Sequence, residues 1–347
     1  MAAASPMFRR RCRPALLFLC LLLGTSTLLL GGCSIVYKTT GKALTDYSND
    51  AMAPYILATD DTSMACSTGQ SLSNLLLSFG EVMSPPHKVG SLSLEMAALC
   101  SEHKAVSAHL RYLRDVDRGQ PKAAQDARIV EKRWEEVTAR RRYRAYKLVA
   151  AQYGEPGKQC PDLYSDYDQL VWMMGMVTGV QAVLNDMKDE GAVQVPQDIA
   201  AKVALGARCL DDDKWFGVPL ALRAAVWVTV PGTRPKGQNA WVAFHKAIGI
   251  GNRKGVRLPY TLEAIAAYGQ GKNKIVRGAI RGLAKARKDR AADSRYRLLD
   301  QIAYVEIRNI SDRMWTDATG HRTPFNGLGR FWNEKQPKGP DLNQFLH

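Results

Sequence analysis

The stretch 170-LVWMMGMVTGVQAVL-184 is the most informative part of the sequence about the fold. Its apolar residues are distributed around the whole circumference of a helix, so a helix formed by this stretch is buried on every side. The 15 quoted residues are too few to span a bilayer, which takes about 20. Gly175 and Gly179 permit close approach of neighbouring elements. The stretch therefore predicts a central helix enclosed by other helices.

The remainder of the chain is also predicted to be helical, with Pro and Gly between the elements. Helices are predicted over residues 62–79, 90–118, 121–153, 170–184, 196–210, 219–228, 238–248, 273–288 and 294–318, with a short one from 258. The sequence thus predicts an all-α domain over 58–320, with an irregular tail over 321–347. Successive helix pairs favour a helical-hairpin array similar to tetratricopeptide repeats, and an irregular all-helical bundle fits the pattern equally well.

The N-terminal segment is typical of an exported lipoprotein. Four arginines precede an apolar run over 14–30, and Leu30-Gly31-Gly32-Cys33 matches the bacterial lipobox. We therefore expect a signal peptide over 1–32, lipidation of Cys33 with acyl chains such as palmitate, and a lipidated tether over 33–57. Ser34, in place of an aspartate, favours the periplasmic face of the outer membrane. The apolar run is also long enough for an uncleaved membrane anchor.

Export changes which binding partners the positively charged chain can meet. The chain has 48 Lys and Arg against 33 Asp and Glu, a formal charge of +15, which in the cytosol would make nucleic acid the first partner to consider. Removal of the four signal-peptide arginines leaves +11. Because DNA, RNA and cytosolic nucleotides do not share the predicted compartment, we expect no nucleic-acid partner.

Four cysteines remain after the signal peptide and the lipidation site are set aside: Cys66, Cys100, Cys160 and Cys209. Four cysteines allow three pairings. In an oxidising periplasm, neighbours in the chain that lie on adjacent antiparallel helices favour Cys66 with Cys100 and Cys160 with Cys209. Four buried thiols are the alternative.

Two groups of residues are candidates for binding. Trp172, Met173, Met174 and Met176, beside Tyr164 and Tyr167, are predicted to line a cavity for an apolar ligand, because Met adapts to irregular shapes, with core packing as the alternative. The second group lies between residues 253 and 297, where 13 Lys and Arg accompany three acidic residues.

Within this basic segment, Arg277, Arg281, Lys285 and Lys288 follow each other at helical spacing and predict a cationic stripe. The stripe indicates an anionic partner, which is an acidic protein surface, anionic lipid head groups or a small carboxylate ligand. A solvated face is the alternative.

No catalytic residue, cofactor or metal site is predicted. The six histidines do not form an HExxH motif, and no G-x-S-x-G motif is present. The acidic run Asp211–Asp213 is interpreted as the end of a helix. In the helix over 121–153, charged residues opposite the apolar face are predicted to be mainly solvated, with an ion pair between Glu136 and Arg140: Glu131, Glu136, Arg140, Arg142 and Arg144.

Three segments together resemble a known family: the lipobox, the stretch 58–61 (ATDD) with 71–79 (SLSNLLLSF), and 298–307 (LLDQIAYVEI). The chain is similar in these to the T-component (TatT) lipoproteins associated with tripartite ATP-independent periplasmic (TRAP) transporters. The resemblance implies an all-helical, tetratricopeptide-like protein with an internal cavity or channel, which partners a periplasmic solute-binding protein. The basic segment and residues 190–257 differ from that family, so no ligand residue is transferred.

The hypothesis from the sequence is a non-enzymatic outer-membrane lipoprotein that acts as a binding or scaffold component in periplasmic solute uptake. Its ligand would be an apolar, amphipathic or anionic small molecule. The alternative is a tetratricopeptide-like adaptor lipoprotein in cell-envelope assembly, which would hold a peptide or an envelope protein in a helical groove.

Overall fold

The computed structural model describes residues 34–157 and 159–334, and within them all regular secondary structure is helical. The predicted signal peptide, Cys33 and residues 335–347 lie outside the described residues. The all-α prediction is confirmed. The helices are α1 (34–57), α2 (Thr62–Ser78), α3 (His87–Asp117), α4 (Pro121–Tyr153), α5 (Asp166–Lys188), α6 (Ile199–Gly206), α7 (Val218–Thr229), α8 (Ala240–Lys254), α9 (Leu258–Gly269), α10 (Asn273–Asp289) and α11 (Arg297–Thr319).

Local sequence signals account for most helix ends. The Asp61 side chain accepts hydrogen bonds from the backbone amides of the first turn of α2. Ser165 and Asp168 form a capping box at the start of α5. Helix α4 begins at Pro121, where the missing amide hydrogen costs nothing, and ends before Gly154, whose φ of 91° stops the helix. The starts of α2 and α4 and the end of α4 agree with the predicted boundaries, whereas α5 begins at Asp166, four residues before the predicted start at 170.

The helices form a bundle in two groups. Helices α2, α3, α4 and α5 pack one against the next in chain order. Helices α7, α8 and α10 pack around α9, and the short helix α6 connects this second group to α5. Helix α11 closes the bundle, since it contacts α9 and α10 on one side and α3 on the other. Of the two predicted architectures, a helical-hairpin array and an irregular all-helical bundle, the second describes this arrangement.

Helix α5 is the buried helix that the sequence predicts. Every residue from Leu170 to Gly179 is buried. A Cβ atom at Gly175 would lie 2.6 Å from a methyl group of Val149, and one at Gly179 would lie 2.8 Å from the Tyr146 ring. Both glycines thus make room for side chains of α4, which confirms that they serve packing.

The prediction of a tether over 33–57 is wrong for the described residues, because residues 34–57 form helix α1. Gly41 packs under Phe79, and Ile56 is buried beside Leu298 of α11. Asn49 accepts a hydrogen bond of 3.0 Å from the Tyr167 hydroxyl. These contacts come from distant parts of the chain, and they stabilise a helix whose own sequence has little apolar periodicity.

Two disulfides fasten the bundle. Cys66–Cys100 joins α2 to α3, and Cys160–Cys209 joins the loop before α5 to the turn after α6. Both are the pairings favoured from the sequence. In each, the Cα atoms are 5.4 Å apart. The first bridge closes a segment of 34 residues and the second one of 49.

Within the described part of the chain, no helix combines the length and the apolar character needed to cross a membrane.

Candidate functional site

A buried group of charged residues lies where α3, α4 and α5 meet. The Arg142 side chain on α4 is only 1% exposed. It donates two hydrogen bonds to the Glu102 carboxylate, at 3.0 and 2.6 Å, and one of 2.7 Å to Asn185 Oδ1. Such a fork-to-carboxylate arrangement is among the strongest ion-pair geometries in proteins. The prediction that Arg142 lies on a solvated face is therefore wrong.

Further carboxylates surround this pair. Glu95 lies seven residues before Glu102, on the same face of α3. Its Oε2 accepts a hydrogen bond of 2.7 Å from the Thr178 hydroxyl. The same oxygen is 3.8 Å from Arg142 Nε. On the other side, Lys188 donates a hydrogen bond of 3.2 Å to Glu135, whose side chain is 1% exposed. The interior of the bundle thus holds several paired charges.

Burial and neighbouring charge set the protonation of these groups. Burial opposes ionisation of Glu102, but the charge and hydrogen bonds of Arg142 outweigh it and hold the Glu102 pKa at about 2. Burial raises the pKa of Glu95 despite Arg142. On α11, burial and the charge of Glu102 raise the pKa of Glu306 to about 8. The site therefore contains ionised and neutral carboxyl groups at pH 7.

A cavity of about 200 Å³ opens beside this group, between α5, α9 and α11, with one polar wall and an otherwise mainly apolar surface. Its polar wall consists of Glu102, Arg142, Gln181, Asn185, Lys188, Glu306, Asn309 and Arg313. The wall formed by α9 is less polar and includes Ile265 and Tyr268. Charged and apolar surfaces therefore face each other across a small space.

An apolar cavity of about 120 Å³ adjoins the first one. Leucine, valine and isoleucine side chains of α5, α7, α9 and α11 form most of its wall, together with Met174. Five residues line both cavities: Gln181, Leu184, Ile265, Gly269 and Glu306. The two spaces are therefore neighbours, and we call them together the amphipathic cavity, with a charged end and a mainly apolar end that also borders Glu95. A mostly apolar pocket with a few polar groups is the usual form of a small-molecule site.

The predicted cavity residues Trp172, Met173 and Met176 do not line this site. They are at most 1% exposed and belong to the main core. The Trp172 indole donates a hydrogen bond of 2.9 Å to the Gly206 carbonyl, and Met176 packs on the same glycine. Helix α5 is apolar all round, so its sequence does not show which side faces a cavity. Met174, also among the predicted residues, does line the cavity, together with Val177 and Gln181 on the same helix.

The predicted cationic stripe on α10 is not a free surface along its whole length. The Arg277 guanidinium stacks 4.5 Å from the centre of the Phe331 ring and donates a hydrogen bond of 3.1 Å to Asn333. Arg281 forms an ion pair with Glu334, and Lys285 with Asp289. Lys288 is exposed. The C-terminal segment over 331–334 therefore covers half of the stripe.

The basic segment also contributes a structural ion pair. Arg257 and Asp300 are each 1% exposed and lie 2.8 Å apart, and Arg287 reaches the second Asp300 oxygen at 2.7 Å. These contacts join the start of α9, the end of α10 and the start of α11. Part of the positive charge therefore serves folding and is not displayed to a partner.

Sequence reasoning missed the charged end of the amphipathic cavity, although a signal existed. Three pairs of charged residues, each seven residues apart, lie on the faces of long helices that point inward: Glu95 with Glu102, Glu135 with Arg142, and Glu306 with Arg313. Spacing of seven keeps side chains on one helix face. Repeated charge on such faces would have indicated a buried polar network.

Two other predictions have clear outcomes. The Glu136–Arg140 ion pair is present. The acidic run ends the region of α6 as predicted, with Asp212 paired to Arg223 at 2.6 Å and Asp213 to Lys254 at 3.0 Å. Among the described residues, no group of three or more His, Cys, Asp or Glu side chains is placed to bind a metal ion.

Comparison of the chain with protein-family models, with curated proteins and with solved structures gives no match.

Proposed function

We propose that this protein is an outer-membrane lipoprotein, anchored through Cys33, which binds a small amphipathic solute and serves as a non-enzymatic component of periplasmic solute uptake. The observation that carries the proposal is the amphipathic cavity. Its apolar end removes a hydrocarbon group from water at about 25 cal/mol per Å² of buried area. Its charged end fixes the orientation of a polar group.

The disulfides support the proposed compartment. Structural disulfides persist in the periplasm and are rare in a reducing cytosol. Helix α1 is described from residue 34, directly after Cys33 in the chain, and packs on the bundle from Gly41 onward. A lipid on Cys33 would therefore hold the bundle within about seven residues of helix, roughly 10 Å, of the membrane surface.

The link to solute uptake depends on the resemblance to the transporter-associated lipoproteins, and partnership with a periplasmic solute-binding protein is proposed on that ground. The adaptor alternative has weaker support. An adaptor would use the cationic stripe, but Arg277 and Arg281 contact the chain's own C-terminal segment.

The anchor and the ligand are tested separately. For the anchor, labelled palmitate should be incorporated into the full chain, and Cys33→Ser should abolish labelling and release the protein from the membrane fraction. Unlabelled wild-type protein, or unchanged fractionation of the variant, would refute the proposed anchoring.

For the ligand, solvent extraction of the purified protein followed by mass spectrometry should yield a small amphipathic molecule in near-equimolar amount. Ala225→Phe on α7 and Ala266→Phe on α9 place an aromatic ring in the apolar end of the cavity and should remove this molecule. Ala43→Phe on the exposed side of α1 is the matched control and should retain it. Equal recovery from all variants, or no recovery from the wild type, would contradict solute binding in this cavity.

A further inference from the structure

The polar wall of the amphipathic cavity contains an unusual concentration of polar atoms without partners. Among the described residues, nothing donates to or accepts from five of its buried atoms: Arg142 Nε, Gln181 Oε1, Glu306 Oε1, Asn309 Nδ2 and Arg313 Nε. Buried polar groups are nearly always hydrogen-bonded in native proteins, because an unsatisfied group keeps the full cost of losing water. These five atoms belong to side chains that line one cavity of about 200 Å³, where a bound polar group or ordered water can satisfy them, and Arg142 Nε also lies 3.8 Å from a Glu95 oxygen.

Among the described residues, Arg313 is the cation in this wall that has no carboxylate within ion-pair distance, although its charge lowers the pKa of both Glu102 and Glu306. Arg142 is paired with Glu102, and Lys188 is paired with Glu135. Within the described part of the chain, Arg313 makes no hydrogen bond and no ion pair, although it is half-buried on α11. A partly desolvated guanidinium is stabilised by an anion, and its fork of donors matches a carboxylate.

The remaining groups near Arg313 also suit a carboxylate. Asn309, four residues earlier on the same helix, offers a free amide donor. Glu306 lies one further turn away and does not form an ion pair with Arg313. Because burial and Glu102 raise its pKa to about 8, Glu306 is mostly neutral at pH 7, so it does not repel an anion and can donate its own proton.

The size of the cavity bears on the length of the ligand's alkyl chain. The charged end holds about 200 Å³ and the apolar end about 120 Å³. Because one water-sized group needs about 10 to 15 Å³ of such space, the site has room for a monocarboxylate with about eight carbon atoms. The apolar end has no cation in its wall, so the head group belongs at the end that contains Arg313.

We propose that the amphipathic cavity selects a single-chain monocarboxylate, with its carboxylate held by Arg313 and Asn309 beside Glu306, and its alkyl chain between α5, α7 and α9. The inference deepens the proposed function, since it names the class of solute. It assigns Arg313 as the residue that determines specificity for the head group.

The test is calorimetric titration of the delipidated protein at pH 7 with octanoate, octan-1-ol and octyltrimethylammonium. Octanoate should bind at least about tenfold more tightly than octanol, as expected for one charge-assisted hydrogen-bonded contact. Arg313→Met should weaken octanoate binding by about ten- to a hundredfold and leave octanol within about twofold. Arg313→Lys should retain part of the preference.

Arg308→Met is the matched control, because Arg308 is an exposed arginine of α11 that stacks on Tyr304 outside the cavity. It should leave all three affinities unchanged, and the melting temperature of each variant shows whether it folds. If octanoate and octanol bind equally and Arg313→Met changes neither, or if the ammonium compound binds best, the head-group inference fails while solute binding stands. If no probe binds, both fail.

Discussion

Replacement of Arg142 with methionine is expected to lower the free energy of unfolding by about 3 to 5 kcal/mol at pH 7, the usual cost of removing one partner of a buried ion pair. Methionine fills much of the same volume, so the loss is electrostatic and not a packing defect. The variant leaves the buried Glu102 without its two donors and leaves Asn185 Oδ1 without its donor. With a urea dependence of about 3 kcal/mol per M for a chain of this size, the unfolding midpoint should fall by about 1 to 1.7 M.

The pH dependence identifies the cause. In the wild type the Glu102 pKa is about 2, below its ordinary value of 4.5, so the pair stabilises the fold above pH 4.5, and this contribution is lost as the pH falls towards 2. Without Arg142, burial raises the Glu102 pKa instead. The unfolded chain then ionises more readily than the folded one, and the deficit of the variant should grow from pH 4.5 to pH 7.5.

The measurement is urea unfolding followed by circular dichroism, with disulfides intact, for Arg142→Met, Glu102→Gln and the double variant. The double variant should be more stable than the sum of the two single losses indicates, by about 1 to 3 kcal/mol. Arg140→Met is the matched control, since the Arg140 side chain is 69% exposed and its pair with Glu136 is worth at most about 0.5 kcal/mol. An unfolding midpoint for Arg142→Met equal to that of the control, or a loss of stability independent of pH, would show that the Arg142–Glu102 pair does not provide this stability.

Three further variants test other parts of the structure. Replacement of Cys66 and Cys100 by serine should cost about 3 to 4 kcal/mol, because the bridge closes 34 residues, and thermal unfolding of wild type should shift similarly under reducing conditions; an unchanged melting temperature would argue against the bridge. The stability of Glu306→Gln should equal that of the wild type at pH 4 and exceed it increasingly towards pH 8. The reason is that the folded Glu306 pKa of about 8 lies above its ordinary 4.5, so wild-type stability falls between these two pH values. Stability curves that run parallel across this range would contradict the prediction. Gly175→Ala should destabilise the fold by about 1 to 3 kcal/mol, because the new methyl group clashes with Val149. Gly278→Ala meets nothing within 4 Å and should stabilise the fold by about 0.5 to 1 kcal/mol. A change in the free energy of unfolding of the same sign for both variants in urea titrations would be inconsistent with the packing described.

The helices themselves could be predicted because their signals are local. Apolar periodicity and the boundary residues Pro121 and Gly154 define α4 without reference to any other part of the chain. The tether prediction failed for the opposite reason. Helix α1 is stabilised by Phe79, Tyr167 and Leu298, and a segment considered alone contains no information about such partners.

The candidate site was less predictable than the fold. Arg140 and Arg142 have the same chemistry and lie two residues apart, yet one is 69% exposed and the other 1%. The sequence prediction placed both on one solvated face, although residues two apart on a helix point to opposite sides, and nothing local shows that α3 and α5 cover the side of Arg142. Arg277 and Arg281 likewise look free until the segment over 331–334 is placed against them.

The all-helical class, the buried central helix and the disulfide pairs favoured among the four mature cysteines follow from the amino-acid sequence alone. These depend on hydrogen bonds, caps and side-chain periods within a few turns of one helix. Only the tertiary structure decided which polar residues are buried, that Glu306 and Arg313 face Arg142 across a cavity, and where that cavity becomes apolar. The cost of burying a charge depends on every helix packed around it, and those helices come from parts of the chain more than a hundred residues apart.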